Sequence, residues 1–528
     1  MDHLFVLAPG SAVALGLHEY DGKLPNLSRF ATGRWAERAD ALLRRLRAFS
    51  VDALPSDRRF DRTLLELSLE SPLFDLRDSR DYDLNPMLYV MGLALTPYTV
   101  RAYAPLPVRL EAVHRHLSGV PAFLAAGLDR LDPEVPVPFV RFAVAIADGL
   151  RANYREVDSP AQSAGGDWVN RLREVRELAD TALTAFIQRL ESQWLPRATN
   201  SFALGPARYQ KLLWVREGIR TPFTDLLTAG YADLERNKRR LEAIARDSRP
   251  PTDARGLLAR LAETHPTADQ LIARAREFVE ETKTFVREKE LATVPEPAIC
   301  RVEETPKYHQ RLSTASMNPP GPFDAAGEEG IYFVTPADPA WSPATREEWL
   351  RQFNDSVLRN VTVHEVYPGH YLQYLHLQRV SGGRARRVFL STAFIEGWAH
   401  YGEQLAVEQG LGSGAPEAEA AMLYDALLRD CRLIASVGLH TQRMSVEQAA
   451  ALFEQDAFCE PIVARREAER GTYDPAYFSY TLGKLAILDA RRKHLASRFG
   501  GSIRAFHDRL LGLGAPPVGF LDEVLQSG

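Results

Sequence analysis

Helical periodicity restricts this chain more than any other feature. Through long stretches of its first 290 positions, apolar residues recur at three- and four-residue intervals. That spacing buries one face of a helix and breaks the alternation a half-buried strand needs. Between Arg34 and Phe49 the apolar stripe is Leu42, Leu43, Leu46 and Phe49. The same period predicts helices over Arg109 to Leu131, Phe139 to Val157, Val169 to Trp194, Ala207 to Glu217 and Thr221 to Asp247, then over Arg255 to Leu261 and Ala268 to Glu288. Prolines punctuate them at Pro206, Pro222 and Pro250-Pro251, because a residue without an N–H ends one helix or opens the next. From Val294 to Pro343 the chain turns rich in Pro, Gly, Thr and Asn. There Ile331-Tyr332-Phe333-Val334-Thr335 reads as a strand and Ala298 to Glu303 as a weaker one. The expectation is a mainly α protein with a small β-sheet or hairpin. No internal repeat and no low-complexity tract interrupts it.

Composition narrows the function classes. The chain has 528 residues, 45% hydrophobic and 25% charged, with a net charge of −5. A weakly acidic chain with interspersed charges argues against nucleic acid or an anionic membrane as principal partner. Arg384 to Arg387 reads as a helix end or a solvated face. Cys300, Cys431 and Cys459 are too few and too scattered for a disulfide framework or a thiolate cluster, and read as buried thiols in a reducing compartment. The first residues, Met1 to Pro9, carry no basic segment, and the first lysine is Lys23. That is not a secretory signal, and no apolar run reaches the ~18 residues of a membrane span. The cytoplasm is the expected compartment. Nothing in the pattern specifies an oligomeric state.

Chemistry concentrates between residues 364 and 405. The first motif is His364-Glu365-Val366-Tyr367-Pro368-Gly369-His370; the second lies in Ser391 to His400 and brings Glu396. Two imidazoles and a carboxylate are the ligand set of a hydrolytic zinc site, with the fourth position left for water. Glu365 follows the first ligand directly and is placed to take a proton from that water. His364 and His370 are six apart, so a regular helix would hold them about 120° out of line. Pro368 cannot donate to residue 364, and Gly369 tolerates unusual backbone. A break there would swing His370 back beside His364; the alternative is a helix that ends at Pro368, with His370 in a loop. Glu396, His400 and Glu403 share one helix face among apolar flanks, Phe394-Ile395 and Trp398-Ala399. A buried carboxylate needs a partner, and a metal is one of few that offset its desolvation. Glu396 is therefore the third ligand, and His400 and Glu403 are residues that orient it or its neighbours. The rival assignment exchanges His400 and Glu396.

These motifs, His-Glu-x-x-Pro-Gly-His and Glu-Gly-Trp-Ala-x-Tyr-x-Glu, resemble those of the domain-of-unknown-function 885 family, which is related to thermolysin-like (gluzincin) zinc peptidases. The resemblance extends to Leu15 to Pro25, Gly330 to Val334, Arg432-Leu433, Gly438-Leu439-His440 and Tyr480-Thr481-Leu482-Gly483. Departures from the family pattern are Tyr371, where a second His is common, Ser436, where Asp is usual, and Tyr477, where Gln is common.

The resemblance implies one zinc ion per chain and a metallopeptidase in which a sheet edge aligns an extended substrate through its backbone. Tyr332, Phe333 and Val334 are the candidates for that edge. His440 and Tyr480 are candidate donors to the oxyanion, with Gly483 permitting close backbone approach. Arg470 and Lys484 are candidates for a substrate carboxylate. Residues 1–290 would wall a deep cleft over a catalytic region at 291–528. The implied reaction is hydrolysis of short peptides, exopeptidase-like, with Glu365 as base. A metal-dependent amidase acting on a non-peptide metabolite and a non-catalytic helical binding protein with a vestigial site are the alternatives.

Overall fold

The helical period carries into the structure almost segment for segment. The computed structural model describes residues 2–307, 310, 313–325, 329–441, 443–496 and 501–526. Its contacts divide the chain into two compact units, one of residues 1–202 with 306–311 and 320–328, the other of 203–305 with 312–319 and 329–528.

In the first unit the principal helices are α1 (Arg29–Arg47), α2 (Ser56–Arg77), α3 (Leu106–Arg130), α4 (Val137–Arg155) and α5 (Trp168–Arg189). Helix α5 packs along α3 and α4. Its stripe of Leu172, Val175, Ala179, Leu183 and Phe186 is buried, which is the 3.6-residue period expressed as a core face. The chain then passes through a single π turn at Leu190–Trp194.

The second unit holds every candidate site residue. Its main helices begin with α6 (Pro206–Glu217), α7 (Phe223–Asp247) and α8 (Leu271–Glu288). A three-stranded sheet follows: β1 (Cys300–Glu304), β2 (Ala315–Asn318) and β3 (Gly330–Val334). The order is β1-β3-β2, with β3 parallel to β1 and antiparallel to β2. The remaining helices are α9 (Asp355–Glu365), α10 (His370–Leu377), α11 (Thr392–Glu408), α12 (Pro416–His440), α13 (Pro461–Tyr473), α14 (Ser479–Ala496) and α15 (Ile503–Leu511). The protein is mainly α with one small sheet.

Two contacts position the site. Sheet and helix α9 meet where the Tyr332 hydroxyl lies 3.3 Å from the Thr362 hydroxyl. Helices α11 and α14 cross at glycine: a Cβ on Gly397 would overlap the backbone of Gly483, and one on Gly483 would overlap the Ala393 carbonyl and Gly397. This is the close approach expected of Gly483.

Strand β3 corrects one expectation. Tyr332 to Val334 do not form a sheet edge, because β3 is the middle strand and is paired on both sides. All five of its residues are buried. The strand with a free edge beside α9 is β2, which among the described residues pairs with β3 on one side alone.

Candidate metal centre

Helix α9 starts at Asn354, whose side chain accepts the Val357 N–H at 3.1 Å, satisfying one of the orphan donors of the first turn. It delivers His364 and Glu365 in its last turn and stops there. Pro368 supplies no N–H, and Gly369 passes so close to the His364 carbonyl that any Cβ would collide with it. The Gly369 N–H donates instead to the Val363 carbonyl at 3.0 Å. Trp398, fully buried on α11, ties the break down by donating its indole N–H to the Pro368 carbonyl at 2.8 Å. Helix α10 then begins at His370. The six-residue phase error is removed by ending one helix and starting another, and the two imidazole rings lie edge to face, 4.7 Å apart.

The third group arrives from α11, capped by Ser391, whose hydroxyl accepts the Phe394 N–H at 2.9 Å. Glu396 Oε2 lies 3.6 Å from His364 Nε2 and 3.6 Å from His370 Nε2. The three ligand atoms all lie within 4.8 Å of one another. Ligands on a tetrahedral ion with bonds near 2.0–2.1 Å stand about 3.3 Å apart, so the residues fit a zinc-sized ion with little adjustment. The Glu396 side chain keeps 23% of its surface exposed, which leaves that side of the cluster open to solvent. Burial and Arg429 oppose charge on His364, yet the carboxylates of Glu396 and Glu403 outweigh them and raise its pKa to about 9. Burial likewise opposes charge on Glu396, but the two imidazoles hold its carboxyl far below the usual range. The cluster thus favours a cation.

Behind His364 stands a second layer. Its Nδ1 faces Glu403 Oε1 at 2.6 Å, a geometry in which Nδ1–H donates and Nε2 is the nitrogen left facing Glu396. Glu403 is fully buried and also accepts from Arg429 Nη1 at 2.8 Å and Asn360 Nδ2 at 3.3 Å. His400 Nδ1 lies 3.4 Å from the same carboxylate, and His400 is fully buried. Its position fits the orienting role, and Glu396, not His400, stands beside both imidazoles. Glu365 is buried beside His364 with no hydrogen-bond partner on its carboxylate among the described residues.

The remaining candidates separate. Tyr480 stands close enough to Glu396 that, after burial, the carboxylate is the main influence raising its phenol pKa. Its ring is flanked by the guanidinium groups of Arg432 and Arg429, 5.2 and 5.8 Å from its centroid. Arg470 packs 4.6 Å over the Tyr477 ring, makes one 3.4 Å contact with Asp474 and keeps 37% of its side chain exposed. Lys484 does not reach a substrate: it is buried and paired with Asp233 at 2.7 Å. Burial pushes its pKa down to about 8. Nor is His440 an oxyanion donor. It is buried at the far end of α12, donates Nε2–H to the Gly471 carbonyl at 2.8 Å and stacks near Tyr209. Eleven residues separate it from Arg429, about 16 Å of helix.

Two residues of the site escaped the sequence reading. Tyr374, one turn after His370 on α10, has its pKa raised to about 12 by burial and by Glu396. Its signal was the i+4 spacing from a ligand. Arg429 lies 65 residues beyond His364 and outside the family-like segments, and only the packing of α12 against α9 brings it in.

The three departures from the family pattern are structural. Tyr371 donates to the Ile299 carbonyl at 2.6 Å, Ser436 to the Pro475 carbonyl at 2.8 Å, and Tyr477 to Glu467.

Two solved structures share this architecture from end to end. One, from Shewanella oneidensis and described as a "putative lipoprotein of unknown function", is 25% identical with a TM-score of 0.81, the match covering 99% of this chain and 98% of that one. The other, a "putative lipoprotein" from Colwellia psychrerythraea, is 18% identical with a TM-score of 0.80 over 99% and 96%. No functionally curated protein matches the chain. Among the described residues, no helix is long and apolar enough to cross a membrane. Residues 9–525, nearly the whole chain, match the family described as "Bacterial protein of unknown function (DUF885)", and the protein belongs to that family.

Proposed function

We propose that this protein is a zinc-dependent peptidase of the thermolysin-like type that hydrolyses short peptides. The observation that carries the proposal is the convergence of His364, His370 and Glu396 from three helices, with Glu403 behind His364 and Glu365 beside it. A zinc ion held by His364, His370 and Glu396 would polarise the amide carbonyl and make a nearby water more acidic. Glu365 accepts a proton from the attacking water and passes it to the nitrogen of the departing amine. The hydroxyls of Tyr480 and Tyr374 are the available donors to the oxyanion that develops at the carbonyl. With Lys484 and His440 removed from contention, Arg470 is the candidate for a substrate carboxylate, and the free edge of β2 replaces β3 as the strand that aligns an extended peptide.

The test is metal content followed by hydrolysis. Wild-type protein supplied with zinc and freed of excess retains about one ion per chain, and His364→Ala and Glu396→Ala lose it. Glu365→Gln retains zinc and loses hydrolysis of short peptides by a factor of about 10² to 10⁴. Comparing free with amidated carboxy termini reads the exopeptidase assignment; cleavage of non-peptide amides alone would establish the amidase instead. Wild-type protein that holds no metal is a helical binding protein with a vestigial site. The cytoplasmic location remains part of the same proposal. The description of both neighbours as lipoproteins favours the cell envelope as the alternative, and fractionation of the native protein distinguishes them.

A further inference from the structure

His364 and His370 are treated unequally in this structure. His364 Nδ1 has Glu403 at 2.6 Å. His370 Nδ1 is buried without a hydrogen-bond partner among the described residues. An imidazole that binds a cation through Nε2 carries its proton on Nδ1, and a buried N–H left unpaired is destabilising because its lost hydration is not replaced. Three residues along the same helix, Gln373 is only 3% exposed, and among the described residues neither its Oε1 nor its Nε2 has a partner. Its backbone needs nothing from the side chain, since the Gln373 N–H already donates to the Gly369 carbonyl at 3.1 Å. A buried amide with both ends unsatisfied contributes nothing to an apolar core that leucine would not contribute better.

Residues three apart on a helix have Cβ atoms about 5–6 Å apart. That brings the Gln373 amide within reach of His370 Nδ1 through one side-chain rotation or one buried water bonded to both. Gln373 is also on the side of α10 shared with His370 and Tyr374, 60° of helix from the former. Three orphaned polar atoms on neighbouring side chains, one of them on a ligand candidate, have a common solution.

We infer that Gln373 is the positioning residue for His370, accepting its Nδ1–H directly or through a water and so fixing the tautomer that presents Nε2 to Glu396. This rests on the metal-centre reading above and adds to it a partner for the second imidazole. Gln373 touches neither substrate nor the reacting atoms. Its effect is on how tightly His370 holds a cation.

The test uses zinc affinity and apo-protein stability together. The full-length protein is stripped of metal, and zinc is titrated against a chromophoric chelator for the wild type, Gln373→Leu and Gln373→Glu. Expected are a zinc Kd raised about 10- to 100-fold by Gln373→Leu, with the apo unfolding midpoint unchanged or higher, and a Kd equal to or below wild type for Gln373→Glu, which keeps an acceptor. A purely structural glutamine would lower the apo midpoint and leave the Kd of the folded protein alone, and that pattern overturns the inference. Equal zinc affinity in wild type and Gln373→Leu overturns it as well. Absence of zinc binding by the wild type is a different result, since it removes the metal centre itself.

Discussion

Replacing Glu403 by glutamine isolates the layer behind the proposed ligands without changing its shape. In the wild type one carboxylate oxygen takes the His364 Nδ1–H at 2.6 Å, while the other faces Arg429 at 2.8 Å and Asn360 at 3.3 Å. All these neighbours are donors, and a glutamine has only one acceptor end. If its oxygen faces Arg429, its NH₂ meets His364 Nδ1, and the imidazole proton must move to Nε2, where it blocks cation binding. If its oxygen faces His364, its NH₂ confronts the Arg429 guanidinium, leaving a buried cation short of its partner. Breaking a buried pair in that way costs about 3–5 kcal/mol. Asp425, hydrogen-bonded to Asn360 at 2.7 Å and also facing Arg429, recovers part of it. Zinc affinity should fall about 10- to 100-fold, equivalent to about 1.4–2.7 kcal/mol. Chelator competition on the apo protein measures the first effect and the urea midpoint the second. A Glu403→Gln protein with wild-type zinc affinity and an unchanged midpoint would refute the reasoning on both counts.

Two further perturbations follow from the same geometry. Gly369→Ala places a Cβ against the carbonyls of His364 and Val363, so the break between α9 and α10 must open; zinc should be lost or bound more than about 10-fold more weakly, with about 1–3 kcal/mol of overpacking. A fully loaded, equally stable variant would show that the break has slack. Glu217 is buried on α6 and accepts from Ser391 and from the Ala393 N–H at 3.0 Å, bracing the start of α11. Burial raises its pKa to about 7 despite those donors. A carboxyl whose folded pKa lies above its unfolded value stabilises fully below the unfolded value, near 4.5, and loses that contribution as pH rises to about 7. The loss is about 3 kcal/mol over that window, and Glu217→Gln should flatten it. Urea midpoints of wild type and variant at pH 4.5, 5.5 and 7.5 check the slope, and parallel profiles would contradict it.

Much of the fold was legible because helix formation is a local affair. Apolar residues three and four apart specify a buried face whatever lies across from it, so the stripe of α5 could be read without knowing that α3 would cover it. Strand β2 was missed because Ala315–Asn318 alternates apolar and polar residues over only four positions, too few to stand out in a segment dominated by loop formers. The edge role given to Tyr332–Val334 went wrong at a readable point. Gly330–Val334 is an unbroken apolar run, and such a run belongs to a strand covered on both faces, at the centre of a sheet more often than at its edge.

The sequence by itself determined which residue types could hold a metal and that Pro368-Gly369 must interrupt a helix between His364 and His370, because proline and glycine act on their own backbone. It also placed Glu396, His400 and Glu403 on one face. Tertiary structure alone decided which of the remaining candidates reach that site. His440 sits in a family-like segment as Tyr480 does and Lys484 directly follows one, yet Lys484 is buried against Asp233 and His440 lies at the far end of a helix from the ligands. Arg429 enters from outside those segments, because α12 packs on α9. The physical reason is range. Backbone preference and helical phase are set within a few residues, whereas burial, ion pairing and distance to a ligand are set by whichever distant helix supplies the other wall.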